Sequence, residues 1–184
     1  MKKTISLFQR NYDGDRLVRD EIVPGAEWVV NGEGVATRKY DGTCCMVRDG
    51  KLYKRYDKKP NRNAPEGFEP AGQPDTHTGR VVGWVPVGDG PEDKWHREAF
   101  ERLPEAAKVN GTYELLGPKI QGNPEKVIGH GLLKHSDAEL LDGCPRDFDG
   151  IKEHLKDRDI EGIVWHHPDG RFVKIKKKDF GMKR

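Results

Sequence analysis

No apolar run in the 184-residue sequence approaches the roughly 20 residues that a membrane-spanning helix needs. The opening Met1 to Phe8 gives way at once to charged residues, which makes it too short for a secretory apolar core. The sequence therefore reads as cytoplasmic, with no membrane role. Cysteine is scarce as well, at three residues: Cys44 and Cys45 are adjacent on a strand-like segment and face opposite ways, and Cys144 stands alone. That spacing excludes a CxxC metal clamp and a disulfide framework, so reduced packing residues are expected. Aromatics are few, and between Leu115 and Ile160 only Phe148 is one.

What is present is charge. The net value is only +2, yet residues 171–184 hold seven Lys or Arg against one Asp, which leaves the preceding body mildly acidic. A basic end on an acidic body suits a surface that meets a polyanion. Phe172-Val173-Lys174-Ile175-Lys176 alternates apolar and basic residues, so as a strand it buries Val173 and Ile175 and sets Lys174 and Lys176 on one face.

Length suits a single domain over 1–184. Strand signals fall at Glu27 to Asn31, Val35 to Tyr40, Thr43 to Arg48, Lys51 to Tyr56, Val81 to Val85, Thr112 to Leu116, Val127 to Leu133, Gly162 to His166 and Arg171 to Ile175. Asp49-Gly50 and Pro168-Asp169-Gly170 are hairpin turns, and Asn11-Tyr12-Asp13-Gly14 is a turn. Helical spacing appears at Pro91 to Leu103, through Trp95, Ala99 and Leu103, and at Asp147 to Arg158. The Pro-, Gly- and Asn-rich stretch at 57–79 reads as a flexible loop.

The most informative element is Lys39-Tyr40-Asp41-Gly42. By itself a Lys-x-Asp-Gly string is weak, because this composition produces one by chance about 0.2 times per chain. Order adds the weight. Lys54-Arg55 follows on the outgoing strand, then Glu114, Glu161-Gly162, and Lys174-Ile175-Lys176. This ordered set resembles the covalent nucleotidyltransferase superfamily of ATP-dependent ligases and capping enzymes. The longer strings Lys39-Tyr40-Asp41-Gly42-Thr43-Cys44-Cys45 and Tyr113 to Pro124 are similar to the 5′-to-3′ RNA ligase family with the KxDGTCC motif.

The resemblance implies an α+β nucleotidyltransferase domain of mainly antiparallel sheets forming an ATP cleft, with helices outside; the sequence departs from multidomain superfamily members in that no C-terminal oligonucleotide-binding domain is expected after Lys176. It implies Lys39 as the nucleophile that takes AMP from ATP, with Arg55, Glu161, Lys174 and Lys176 completing the catalytic set. Thr37, Arg38 and Glu114 join these around the nucleotide, Glu114 on the ribose. Asp41 and Glu161 would hold Mg2+ or Mn2+. The expected substrates are RNA ends, one with a 5′-phosphate and one with a 3′-hydroxyl, and the expected setting is RNA repair. Lys177, Lys178, Lys183 and Arg184 would contact the RNA backbone. For adenine stacking, Phe148 and His130 are candidates, and His166-His167 reads as surface. Two alternatives stay open: another nucleotidyltransferase, such as a DNA ligase or guanylyltransferase, and a non-catalytic RNA-binding domain gripping through the tail with Lys54, Lys58, Lys59 and Arg62.

Overall fold

The computed structural model describes residues 4–76 and 78–184. Met1–Lys3 of the opening segment and His77 of the 57–79 stretch lie outside the described residues. In chain order the elements are β1 (Ile5–Ser6), β2 (Phe8–Arg10), β3 (Val18–Ile22), α1 (Glu27–Val30), β4 (Val35–Lys39), β5 (Thr43–Arg48), β6 (Lys51–Lys58), β7 (Glu69–Pro70), β8 (Val81–Pro86), α2 (Lys94–Arg102), β9 (Gly111–Leu116), β10 (Gly131–Lys134), α3 (Phe148–Lys156), β11 (Gly162–His166) and β12 (Phe172–Lys176). The fold is α+β, with mainly antiparallel sheets and few helices. Among the described residues no helix is long and apolar enough to cross a membrane.

The chain divides into two compact units, one of Thr4–Tyr40 with Ala138–Arg184 and the other of Asp41–Asp137. In the first, a four-stranded sheet runs in the order β1-β12-β11-β4. Its alternation is the one the sequence demands: Val173 and Ile175 are fully buried, as are Ile163 and Trp165 on the neighbouring strand. They pack with Leu7, Phe8, Trp28 and Val29, and with Ile151 and Leu155 of α3, whose N-terminus is capped by the Asp147 carboxylate accepting from the Gly150 N–H at 2.8 Å. Phe8, Phe148 and Phe180 meet edge to face in this core.

In the second unit a six-stranded antiparallel sheet runs in the order β10-β9-β5-β6-β8-β7. Asp49 and Gly50, at φ 51° and 70°, form the tight turn between β5 and β6 that the Asp-Gly pair predicts. One face of the sheet carries Cys45, Val47, Tyr113 and Leu115 into a core covered by α2, with Ala99 fully buried and Trp95 and Leu103 beside it. Cys44 points to the other face, as adjacent strand residues must.

Three segments differ from their sequence signals. Glu27 to Asn31, expected as a strand, forms α1. Trp28 and Val29 are both buried, and only a helical turn lets consecutive side chains enter one core. Val127 to Leu133, also expected as a strand, pairs only from Gly131 onward. The Asn123 side-chain amide brackets Val127 by accepting from its N–H and donating to its carbonyl, both at 3.0 Å, and Ile128 is left 99% exposed. The strands β1 to β3 gave no local signal, because they are short and β3 sets three charged residues between Val18 and Ile22.

Leu155 of α3 is fully buried in the first core. Leu155→Ala is expected to destabilise the protein by about 2–5 kcal/mol, read as a lowered denaturant midpoint. A midpoint unchanged from wild type would contradict this packing.

Candidate active site

Register decides which polar residues of the first unit meet. Lys39, the last residue of β4, lies opposite Gly162, which lies opposite Lys176. Two residues back, Thr37, Val164 and Lys174 form the next row. Directly opposed residues share a face of a sheet, so Thr37, Lys39, Lys174 and Lys176 project to the same side. Gly162 is required between the two lysines, because a Cβ there would run into the Ile175 carbonyl oxygen and the Lys176 Cα. Glu161 occupies the space between the two ammonium groups. One of its carboxylate oxygens accepts from Lys39 Nζ and the other is paired with Lys176 Nζ. Its backbone carbonyl accepts from the Lys177 N–H at 2.8 Å, which ties it to the end of β12.

This carboxylate is 9% exposed. Burial pushes its pKa up, but the two ammonium groups outweigh burial and hold it below the ordinary value. Lys39 Nζ also donates to the Tyr40 carbonyl at 3.2 Å. The neighbouring Arg38 lies over the Tyr40 ring at 4.7 Å and reaches Glu139 at 3.4 Å, and Thr37 Oγ1 meets His166 Nε2 at 2.8 Å.

The remaining expected residues belong to the second unit. The Asp41 N–H donates to Glu125 at 2.9 Å, and the Gly42 N–H to Glu114 Oε1 at 3.1 Å. Gly42 must lack a side chain, because a Cβ would strike the Leu115 carbonyl oxygen. Glu114 is 8% exposed. It pairs with Cys44, and one step beyond the Cys45–Lys54 pair the register sets Cys44 opposite Arg55. Glu114, Cys44 and Arg55 therefore form one row across β9, β5 and β6, on the face away from the core. Arg55 Nε lies 3.8 Å from Asp57. Lys54 faces the opposite way and pairs with the buried Asp93, so it does not join a cationic surface with Lys58, Lys59 and Arg62.

Several other expectations are corrected. The basic tail is folded: Lys177 is buried and its Nζ donates to the Arg158 carbonyl at 2.7 Å, while Arg184 pairs with Asp159 at 3.0 Å. Only Lys178 and Lys183 of that set are exposed. His167 is partly buried at the surface, where it packs on Trp28 and meets Glu33 and Asp169 at 2.9 and 2.8 Å. The two aromatics weighed for adenine are spent on packing, Phe148 in the phenylalanine cluster and the buried His130 stacked on Trp95 at 4.4 Å. Sequence reasoning missed Glu125 and His135. Neither lies in a motif, and His135 meets Glu114 at 2.9 Å only because β10 pairs with β9.

Comparison with known proteins bears on what this arrangement serves. A family model described as RNA ligase 1 matches residues 99–184. RNA ligase 1 of Mus musculus is 27% identical over 220 residues, covering 80% of this chain and 67% of its own length. The Pongo abelii and Danio rerio proteins of the same name are 28% and 26% identical, with the same coverage. The chain is thus similar to proteins described as RNA ligase 1 over most of its length. The stretch that matches the RNA ligase model contains Glu114, Glu161, Lys174 and Lys176, and Lys39 precedes it.

The lowered pKa of Glu161 fixes the sign of a pH effect. The unfolded carboxyl takes up its proton near 4.5 and the folded one only at lower pH, so the ion pairs stabilise fully above that value and their contribution fades as pH falls through the folded one. The stability difference between wild type and Glu161→Gln is expected to stay constant above that value and shrink on acidification, measured by denaturant unfolding at a series of pH values. A difference that grows on acidification would contradict the bridge.

Proposed function

We propose that this protein is an ATP-dependent RNA ligase that joins a 5′-phosphate to a 3′-hydroxyl through a lysyl-AMP intermediate, and that it serves RNA repair. The observation that carries the reading is the shared carboxylate: Lys39, in the Lys-x-Asp-Gly string, and Lys176, in the closing Lys-x-Lys, are held on the same Glu161 side chain in a relative of RNA ligases. A binding module has no need for that convergence, since solvated lysines attract a polyanion equally well.

In the first step the Lys39 nitrogen attacks the α-phosphorus of ATP, forming a phosphorus–nitrogen bond and expelling pyrophosphate. The AMP then passes to an oxygen of the RNA 5′-phosphate, which regenerates the lysine. Last, the 3′-hydroxyl oxygen attacks that 5′-phosphorus and AMP leaves. Each step is a displacement at phosphorus, which depends on positioning and charge neutralisation. The amine must lose its proton to attack. Glu161, held below the ordinary carboxylate range, is a poor proton acceptor, so its part is to aim Lys39. Lys176 and Lys174 supply positive charge to phosphate oxygens, Arg55 offers a two-pronged grip, and Glu114 takes ribose hydroxyls. Thr37 and Arg38 flank the nucleotide.

Glu161 and Asp41 offer the hard carboxylate oxygens that Mg2+ prefers. Both Glu161 oxygens already face an ammonium, so Mg2+ fits there as a replacement for one cation or through water. When bound it neutralises phosphate charge.

Incubation with labelled ATP and Mg2+ is expected to leave an acid-labile AMP on the protein, mapped by mass spectrometry to Lys39 and abolished in Lys39→Ala and Lys39→Arg. An adduct persisting in Lys39→Ala would place the nucleophile elsewhere. On substrates, sealing is expected with RNA ends and poor with all-DNA ends, since the 2′-hydroxyl is the group that separates them. Equal sealing of both would contradict RNA as the substrate.

A further inference from the structure

The open face of the six-stranded sheet holds a second chemistry: Cys44 and His135 have no part in the ligase reading, and Glu114 is shared with it. Cys44 Sγ, a Glu114 carboxylate oxygen and a His135 ring nitrogen all lie within 4.8 Å of one another. We infer that these three side chains form a binding site for a thiophilic divalent cation of the Zn2+ class.

Three observations support it. The donor set is mixed in the way such ions favour, with thiolate, imidazole and carboxylate together, and the sulfur argues against Mg2+ or Ca2+. A tetrahedral ion with bonds of about 2.0–2.3 Å holds its donors about 3.3–3.8 Å apart. His135 Nε2 and Glu114 Oε2, now 2.9 Å apart, need only separate slightly and the sulfur close in. Finally, the ligands are supported from behind. His135 Nδ1 meets Thr112 Oγ1 at 2.8 Å, which fixes the ring and leaves Nε2 to face the centre. The other Glu114 oxygen accepts from the Gly42 N–H at 3.1 Å.

The backbone dictates the convergence. Cys44 and Glu114 are directly opposed on β5 and β9, Thr112 lies two residues along the same face, and the chain turns at the end of β10 to deliver His135. A His135–Glu114 ion pair alone would account for two of the three groups. Cys44 completes the set, and it is the adjacent Cys45 that serves the core. Three protein ligands leave a fourth position for water or an incoming oxygen. Binding displaces the thiol proton, so affinity falls as pH falls.

The test titrates the metal-stripped full chain with Co2+, a spectroscopic stand-in for Zn2+. A thiolate-to-cobalt charge-transfer band that saturates at a single equivalent and is bleached by Zn2+ is expected. Cys44→Ser should abolish the band, His135→Gln should abolish or strongly weaken it, and Thr112→Val should weaken binding about 10–100-fold. Cys144→Ser and Lys39→Ala should retain it, the latter separating this site from the fate of the ligase reading. Absence of the band in wild type, its persistence in Cys44→Ser, or its loss in Cys144→Ser would overturn the inference. Serine nearly matches cysteine in size, so Cys44→Ser keeps the test decisive even if His135→Gln folds poorly.

Discussion

A single buried carboxylate between two ammonium groups is the interaction on which the rest of this account depends. Removing a charge from water costs several kcal/mol, and a buried ion is tolerated only when partners of opposite sign replace the lost hydration. Glu161 has two such partners, and they outweigh the burial that would otherwise raise its pKa. Lys174 stands in the next row on the same face.

Backbone constraints make that placement possible. Gly162 keeps the middle strand free of a side chain where Glu161 must reach both lysines, and Gly42 does the same for the close approach of β5 to β9 at Glu114. In both cases the atom that a Cβ would strike is a carbonyl oxygen of the neighbouring strand, so neither glycine can be relieved by a side-chain rotation. Register aligns Lys39 with Lys176 in one sheet, and a separate register aligns Glu114, Cys44 and Arg55 in the sheet of the other unit. Antiparallel pairing thus converts distant stretches of sequence into two rows of chemistry.

Those rows differ in how far the sequence revealed them. Lys39, Glu161 and Lys176 were singled out by motif order, and the alternation of Val173 and Ile175 with Lys174 and Lys176 fixes the face of the two lysines without any structure. The turn at Asp49-Gly50 and the helix around Ala99 were legible for the same local reasons. What stayed hidden depends on long-range pairing. Ile5 and Ser6 join β12 as a parallel edge strand with no periodic signal of their own. His135 reaches Glu114 only through the pairing of β10 with β9. The folded tail was misjudged for a related reason: Lys177 and Arg184 read as contacts for an RNA backbone until the Arg158 carbonyl and Asp159 appear as their partners.

Whether Glu161 and Lys176 act as one unit is open to direct measurement. A double-mutant cycle on unfolding free energy with Glu161→Gln, Lys176→Met and the double variant reports their coupling, free of each residue's other contacts. The bridge predicts a coupling of about 1 kcal/mol or more, with the double variant less destabilised than the two single changes together. Strict additivity, within about 0.3–0.5 kcal/mol, would mean that the carboxylate does not hold Lys176 as described.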